Sequence, residues 1–186
     1  MVRIIAGTAR GRKLETLEGL ETRPTLDRVK EAVFGSLQFS IPYAEVLDLF
    51  SGSGNLGLEA ASRGAKRVVL NDRNPACVEI IRRNVETLGF SDIARTMNLD
   101  YAAAIDRLKA DGASFDLAFL DPPYREGLSE DAVRQLFSNG LIRPGGIVVL
   151  EHAAELPPKD APGVYRVKRT RRFGKCGYSL IEEDVQ

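Results

Sequence analysis

From about residue 44 the sequence alternates short apolar runs with helix-length amphipathic stretches. This alternation constrains the fold more than any other feature. Val46-Leu47-Asp48-Leu49, Val68-Val69-Leu70, Asp116–Leu120 and Ile147-Val148-Val149-Leu150 read as buried strands, with a weaker one near Ala94–Met97. Helices are predicted at about Asn55–Arg63, Pro75–Leu88, Ala102–Ala110 and Glu130–Ser138, the last stopped by Asn139-Gly140. Strand then helix, repeated, implies a doubly wound, mostly parallel α/β sheet. Pro144-Gly145-Gly146 reads as a turn into the last of these strands. The tail breaks the rhythm: Val164–Arg172 and Tyr178–Ile181 are two strand-like runs around Gly174 and Gly177, placed to add a hairpin at the sheet edge.

Residues 1–43 do not share that rhythm and read as an amino-terminal extension to a domain spanning 44–186. Two short strands are expected around the turn Gly7-Thr8-Ala9-Arg10-Gly11. A helix follows, capped by Thr25 with Asp27 in its first turn, and Leu26, Val29, Val33 and Leu37 fall at helical spacing. Ile41-Pro42 ends the unit. The apolar start lacks a signal peptide's long hydrophobic region and no stretch approaches a membrane span, so a cytoplasmic protein is expected. Cys77 and Cys176 stand alone, without Cys-x-x-Cys spacing, and read as free thiols with no metal site.

The first central strand runs into Asp48-Leu49-Phe50-Ser51-Gly52-Ser53-Gly54, directly before a helix. Glycines there let a ligand approach the backbone, and the helix start offers free N–H groups. Gly52, Gly54 and Gly57 meet the Gly-x-Gly-x-x-Gly spacing of dinucleotide sites, so spacing alone leaves a nicotinamide cofactor open. Asp48 argues otherwise, because a buried carboxylate where a pyrophosphate would pass is unfavourable. S-adenosylmethionine, with an ammonium, a sulfonium and no phosphate, suits it better. Asp72 ends the second strand, where a carboxylate either accepts from ribose hydroxyls or caps the next helix, a task Asn74 can also perform. Asp100, after the third strand, has the same two readings, with adenine as its ligand.

Asp121-Pro122-Pro123-Tyr124 follows the buried run Leu117–Leu120. It sets a carboxylate, two rigid rings and an aromatic face at a strand's carboxyl end, where α/β sheets gather ligands. Asp121 can accept from an amino group, and Tyr124 can stack on a base. The set suits a planar aromatic amine that reacts at its nitrogen; a plain capped turn is the other reading. His152, the single histidine, has either a site role or a place at a strand's end.

These residues resemble a known family. Asp48-x-Phe50-x-Gly52-x-Gly54 resembles motif I of class I S-adenosylmethionine-dependent methyltransferases, and Asp121-Pro122-Pro123-Tyr124 resembles motif IV of the amino-methylating branch. Arg3-Ile4-Ile5-Ala6-Gly7, Arg10-Gly11-Arg12-Lys13-Leu14 and Arg23-Pro24-Thr25-x-Asp27-Arg28-Val29 narrow the resemblance to the bacterial 16S rRNA guanine-N2 methyltransferase family called RsmD. It implies a seven-stranded, Rossmann-like class I methyltransferase sheet with an amino-terminal hairpin and helix. It implies S-adenosylmethionine as cofactor, with Asp48, Gly52, Ser53 and Gly54 at the methionine end, Phe50 also against the cofactor, Asp72 at the ribose, and Asp100 and Tyr101 at the adenine. Asp121, the Pro122 carbonyl and Tyr124 would hold the guanine amine. The partner would be 16S rRNA in an assembling small ribosomal subunit. Ser51, Asn55 and Asn71 depart from the apolar residues expected beside the glycines and at the second strand's end.

Charge fits such a partner. The chain is neutral, with 26 basic and 26 acidic residues, but residues 164–178 hold six basic and no acidic residues. Residues 1–30 hold seven basic against four acidic. Arg10, Arg12, Lys13, Arg23, Arg28, Arg169, Arg171 and Arg172 are the candidate phosphate contacts. The competing readings are a DNA adenine-N6 or cytosine-N4 methyltransferase, a protein glutamine methyltransferase, a nicotinamide oxidoreductase and a non-catalytic RNA-binding protein. The first has no spare residues for a target-recognition region, and the second would more typically carry Asn at position 121.

Overall fold

The computed structural model describes residues 2–17, 24–123 and 127–185. Five helices and seven strands follow in order: α1 (Pro24–Ser36), β1 (Glu45–Asp48), α2 (Asn55–Ser62), β2 (Arg67–Asn71), α3 (Pro75–Leu88), β3 (Ala94–Met97), α4 (Tyr101–Ala110), β4 (Phe115–Leu120), α5 (Leu128–Ser138), β5 (Ile142–Ala153), β6 (Tyr165–Phe173) and β7 (Cys176–Glu183). The strands form one sheet in the order β3-β2-β1-β4-β5-β7-β6. β1 to β5 pair in parallel, and β7 runs antiparallel to both β5 and β6. The doubly wound, seven-stranded expectation therefore holds. The strand order reverses between β1 and β4, and ligands bind at such a switch point.

The apolar runs are continuous because parallel strands are covered on both faces. Along β4, Leu117 and Phe119 face one core while Ala118 and Leu120 face the other. The first core takes in α2 and α3, with Val29, Val33 and Phe34 of α1 and Val2, Ile4 and Leu14 of the amino-terminal segment. The second holds Ala104, Ile105 and Leu108 of α4 and Ala132, Val133 and Leu136 of α5.

Three local expectations are corrected. The amino-terminal strands reduce to a single bridge, Arg3 to Lys13, flanked by Ile4 N–H to Arg12 O at 2.9 Å and Leu14 N–H to Val2 O at 3.0 Å. Helix α1 begins at Pro24, so Thr25 lies inside it instead of before it. Proline suits a first helical position because its missing N–H has no partner to lose. The Pro144-Gly145-Gly146 segment is a bulge within β5 and not a turn before it: Phe115 pairs with Ile142, then Leu117 with Ile147. Gly145, at φ 78°, absorbs the extra residues. The tail hairpin adds to the sheet edge as expected, with its second strand beside β5 and β6 outermost.

Candidate active site

The cleft forms where the carboxyl ends of β1, β2, β3 and β4 meet. Gly52 (φ 56°) and Gly54 (φ 85°) adopt left-handed backbone, turning the chain from β1 into α2. Gly54 caps α2 without a side-chain hydrogen bond. Asp48 is 1% exposed, and its Oδ2 accepts from Gly57 N–H at 2.8 Å. A Cβ on Gly57 would sit 3.1 Å from that oxygen, so the glycine admits the carboxylate. Burial first, then the charges of Asp121 and Asp72, push the Asp48 carboxyl up to about 7, against the lowering pull of Gly57 N–H.

The residues that departed from the family pattern hold this loop. Ser51 Oγ donates to Asp48 O at 2.7 Å. Asn71 Nδ2 donates to Leu49 O at 3.1 Å and Leu99 O at 3.0 Å, and its Oδ1 accepts from Leu99 N–H at 3.2 Å. One buried amide thus ties the ends of three strands. Asn55 Oδ1 accepts from Lys30 Nζ at 2.7 Å. Asp72 Oδ2 accepts from Gly52 N–H at 2.9 Å and its Oδ1 from Asn74 N–H at 2.8 Å. Asn74 caps α3, so Asp72 is left to hold the glycine loop and face the cleft.

The cleft has a volume of about 360 Å³, and Phe50, Gly52, Ser53, Asp72, Asp100, Tyr101, Asp121 and Pro123 are among its lining residues. Asp100 caps α4, accepting from Ala102 N–H at 3.1 Å, while also lining the cleft. The Phe50 and Tyr101 rings lie 5.8 Å apart, and Tyr101 Oη donates to Asp131 at 2.7 Å, which drives its pKa up to about 12. Gly54 is buried beneath the wall and shapes it without lining it. A second recess of about 80 Å³ shares Phe50, Ser51, Asn55 and Asp121 with the cleft and adds Lys30, Asp48, Glu151 and Tyr178. Asp121 is exposed to this concave space yet crowded by protein, and desolvation raises its carboxyl. Pro122 is buried behind it, while Tyr124 lies outside the described residues.

The family described as Conserved hypothetical protein 95 matches residues 2–182. Ribosomal RNA small subunit methyltransferase D of Haemophilus influenzae is 40% identical over 184 residues, covering 97% of this chain and 93% of the relative. The Escherichia coli K12 protein of the same name is 35% identical over 185 residues, covering 100% of this chain and 91% of the relative. The chain belongs to this methyltransferase D family. The solved structure titled putative methyltransferase yhhF from Escherichia coli superposes with a TM-score of 0.85 at 32% identity, covering 100% of this chain and 99% of that one.

In this family member, a further buried carboxylate lies where sequence reading did not look. Glu59 is fully buried and accepts from Ile5 N–H (2.8 Å), Ala6 N–H (3.0 Å), Lys30 Nζ (2.9 Å) and Arg63 Nε (2.7 Å). Burial raises its carboxyl, but the Lys30 charge and these hydrogen bonds outweigh it and hold the pKa below the usual range. Lys30 counted earlier only as one basic residue among seven; it falls on the same face as Val29 and Val33, which was the available signal. Glu151, at the end of β5, also went unassigned.

The candidate phosphate contacts scatter. Arg10, Arg12 and Lys13 are exposed on the amino-terminal hairpin, with Arg12 Nη2 donating to Thr87 O at 2.7 Å, and Arg28 is exposed on α1. Arg23 lies outside the described residues. On the edge strand β6, Arg166 and Lys168 pair with Glu182, whereas Arg169, Arg171 and Arg172 are exposed. His152 is buried, with Nε2 2.9 Å from Ser179 Oγ and Nδ1 2.8 Å from Ala153 O, and burial lowers its pKa. It joins β5 to β7 away from the cleft. Tyr178 is core: its Oη donates to Ala32 O at 3.2 Å. Cys77 and Cys176 are free. Among the described residues no group of three or more His, Cys, Asp or Glu is placed to hold a metal ion, and no helix is long and apolar enough to cross a membrane.

Proposed function

We propose that this chain methylates the exocyclic N2 amine of a guanine in small-subunit ribosomal RNA, with S-adenosylmethionine as donor. The observation that carries the reading is that Asp121 and Pro123 open onto the same cleft as the Asp48-anchored glycine loop. The residues fit this cofactor. Asp72 and Asp121 line the cleft and Asp48 the adjoining recess, a set of carboxyls that favours a ligand carrying an ammonium and a sulfonium. They disfavour a pyrophosphate, because Asp48 already takes the Gly57 N–H in the first turn of α2. When bound, S-adenosylmethionine supplies a methyl group activated by a positively charged sulfur.

The rest falls to the chain's own groups. Asp48, with Ser53 and the Gly52 backbone, holds the cationic end, Asp72 the ribose, and Phe50, Asp100 and Tyr101 the aromatic end, while Gly54 shapes the turn beneath them. Asp121 and the Pro122 carbonyl accept from the guanine amine. Two acceptors localise a lone pair otherwise spread into the ring, and they aim it at the methyl group. Positioning of this kind supplies much of a rate gain, with effective molarities up to roughly 10⁵–10⁸ M. Asp121 takes the amine's proton as the new bond forms, or passes it to water. Tyr124 stacks on the base, which is unpaired or extruded from its helix. The extension at residues 1–43 and the exposed arginines of β6 hold the phosphates, and the substrate is an assembling small subunit in the cytoplasm.

The test is labelled S-adenosylmethionine offered with small subunits, naked 16S rRNA, DNA and protein from cells lacking this enzyme. Label is expected in the small-subunit RNA, on guanine N2; label confined to DNA or protein sinks the proposal.

A further inference from the structure

Glu151 sits beside Asp121 for a topological reason. On the neighbouring parallel strands β4 and β5, Leu120 pairs with Leu150, so Asp121 and Glu151 are the next residues along. Both line the 80 Å³ recess, with Asp48 behind them. Lys30 also lines it, but its ammonium is held by Glu59, Asn55 and Arg3 O. Among the described residues, neither the Asp121 nor the Glu151 carboxylate has a hydrogen bond or ion pair. Two carboxyl groups, acceptor-only once ionised, therefore stand together in a recess that shares Asp121 with the cleft where the reacting amine must lie.

The nucleobases differ on this point. Guanine presents two adjacent donors, its N1–H and its N2 amine. Adenine and cytosine present an amine beside a ring-nitrogen lone pair. A pair of carboxylates matches two donors. It meets the other arrangement with repulsion at one position, and a buried acceptor left facing another acceptor is costly.

We infer that Glu151 is a specificity-determining residue: its carboxylate accepts the N1–H of the guanine whose N2 amine is held at Asp121, and it rejects bases that present a lone pair there. This inference rests on the methyl-transfer reading above and explains why that reading ends on guanine, which Asp121-Pro122-Pro123 alone does not select. Burial and repulsion from the Asp121 charge raise the Glu151 carboxyl to about 8, which keeps a proton on it near neutral pH. A cationic cofactor and a two-donor base edge both relieve that repulsion.

The experiment compares guanosine with 2-aminopurine riboside, which keeps the 2-amino group but carries a lone pair at N1. Binding to the full chain is measured by NMR titration in the presence of S-adenosylhomocysteine. The wild type is expected to favour guanosine by at least roughly tenfold, the worth of one good base-edge pairing. Glu151→Gln, whose amide can rotate to donate, is expected to narrow that preference to less than about threefold and to lower kcat/KM on unmodified small subunits by about tenfold, with S-adenosylhomocysteine affinity unchanged. Glu151→Asp keeps an acceptor and should retain the direction of the preference, which separates recognition from a folding defect. A wild type that binds both nucleosides equally, or neither, overturns the inference, as does a Glu151→Gln enzyme with wild-type preference and turnover. A wild type that discriminates the nucleosides but leaves small subunits unmethylated overturns the substrate reading and leaves the role of Glu151 standing.

Discussion

Asp48 is a buried carboxyl whose charge works against stability. Its carboxyl is raised from 3.8 to about 7, so the folded state holds the proton more tightly than the unfolded chain. The stabilisation from that proton is complete below about pH 4 and is lost as pH rises to about 7. A bound ammonium favours the ionised form. Cofactor affinity should therefore increase between about pH 5.5 and 7.5 and then level off, with proton release seen as a buffer-dependent heat in calorimetry. Asp48→Asn should flatten that dependence and weaken binding by roughly ten- to a hundredfold, the scale of one charge-assisted hydrogen bond. Asp121→Ala should behave differently, abolishing methyl transfer while cofactor affinity stays within a few-fold. Equal turnover in that variant would remove the Asp-Pro-Pro segment from the chemistry.

At the scale of elements, the amino-terminal hairpin is fastened to α2 by buried polar groups and not by strand pairing. Thr8 N–H donates to Ser62 O at 2.8 Å, Ser62 Oγ donates to Ala6 O at 2.6 Å, and Ser62 Oγ accepts from Ala9 N–H at 2.9 Å. Gly7, at φ 84°, has no room for a side chain: a Cβ would lie 1.8 Å from Ser62 O. Gly7→Ala should detach the hairpin, read as faster amide exchange over residues 4–14 with the sheet still protected. Glu59→Gln removes the buried negative charge that Lys30 and Arg63 share and should cost about 3–5 kcal/mol in urea unfolding. Because Glu59 is held below its usual range, its contribution is present above about pH 4.5 and is lost as pH falls below that. The stability difference between the wild type and the Glu59→Gln variant should shrink there.

At the scale of the whole molecule, the cleft and the exposed arginines of β6 lie on different parts of the sheet. β6 is the edge strand farthest from β3, and it carries Arg169, Arg171 and Arg172 with no acidic partner among the described residues. Replacing all three with alanine should raise KM for small subunits, leave kcat near wild type and make RNA binding less salt-dependent, since each lost phosphate contact lowers the log–log slope by roughly 0.9 or less. An unchanged slope would place the RNA elsewhere. Much of this architecture was legible in the sequence because its signals are local. Apolar runs of strand length, amphipathic helical spacing, glycines before a helix and Asp-Pro-Pro after a strand each state their own element. The order in which strands pair is not local, and neither is the partner of a charge. Nothing near Lys30 in the chain says that it meets Glu59, nothing near Asn71 says that it ties three strand ends, and a one-residue step past Leu150 looks no different from any other strand end. Burial decides these, because a polar group removed from water must find its partner wherever the fold places one. The chain's own order determined an α/β methyltransferase fold with an Asp-Pro-Pro turn at the end of β4. Only the packed sheet brought Glu151 beside Asp121.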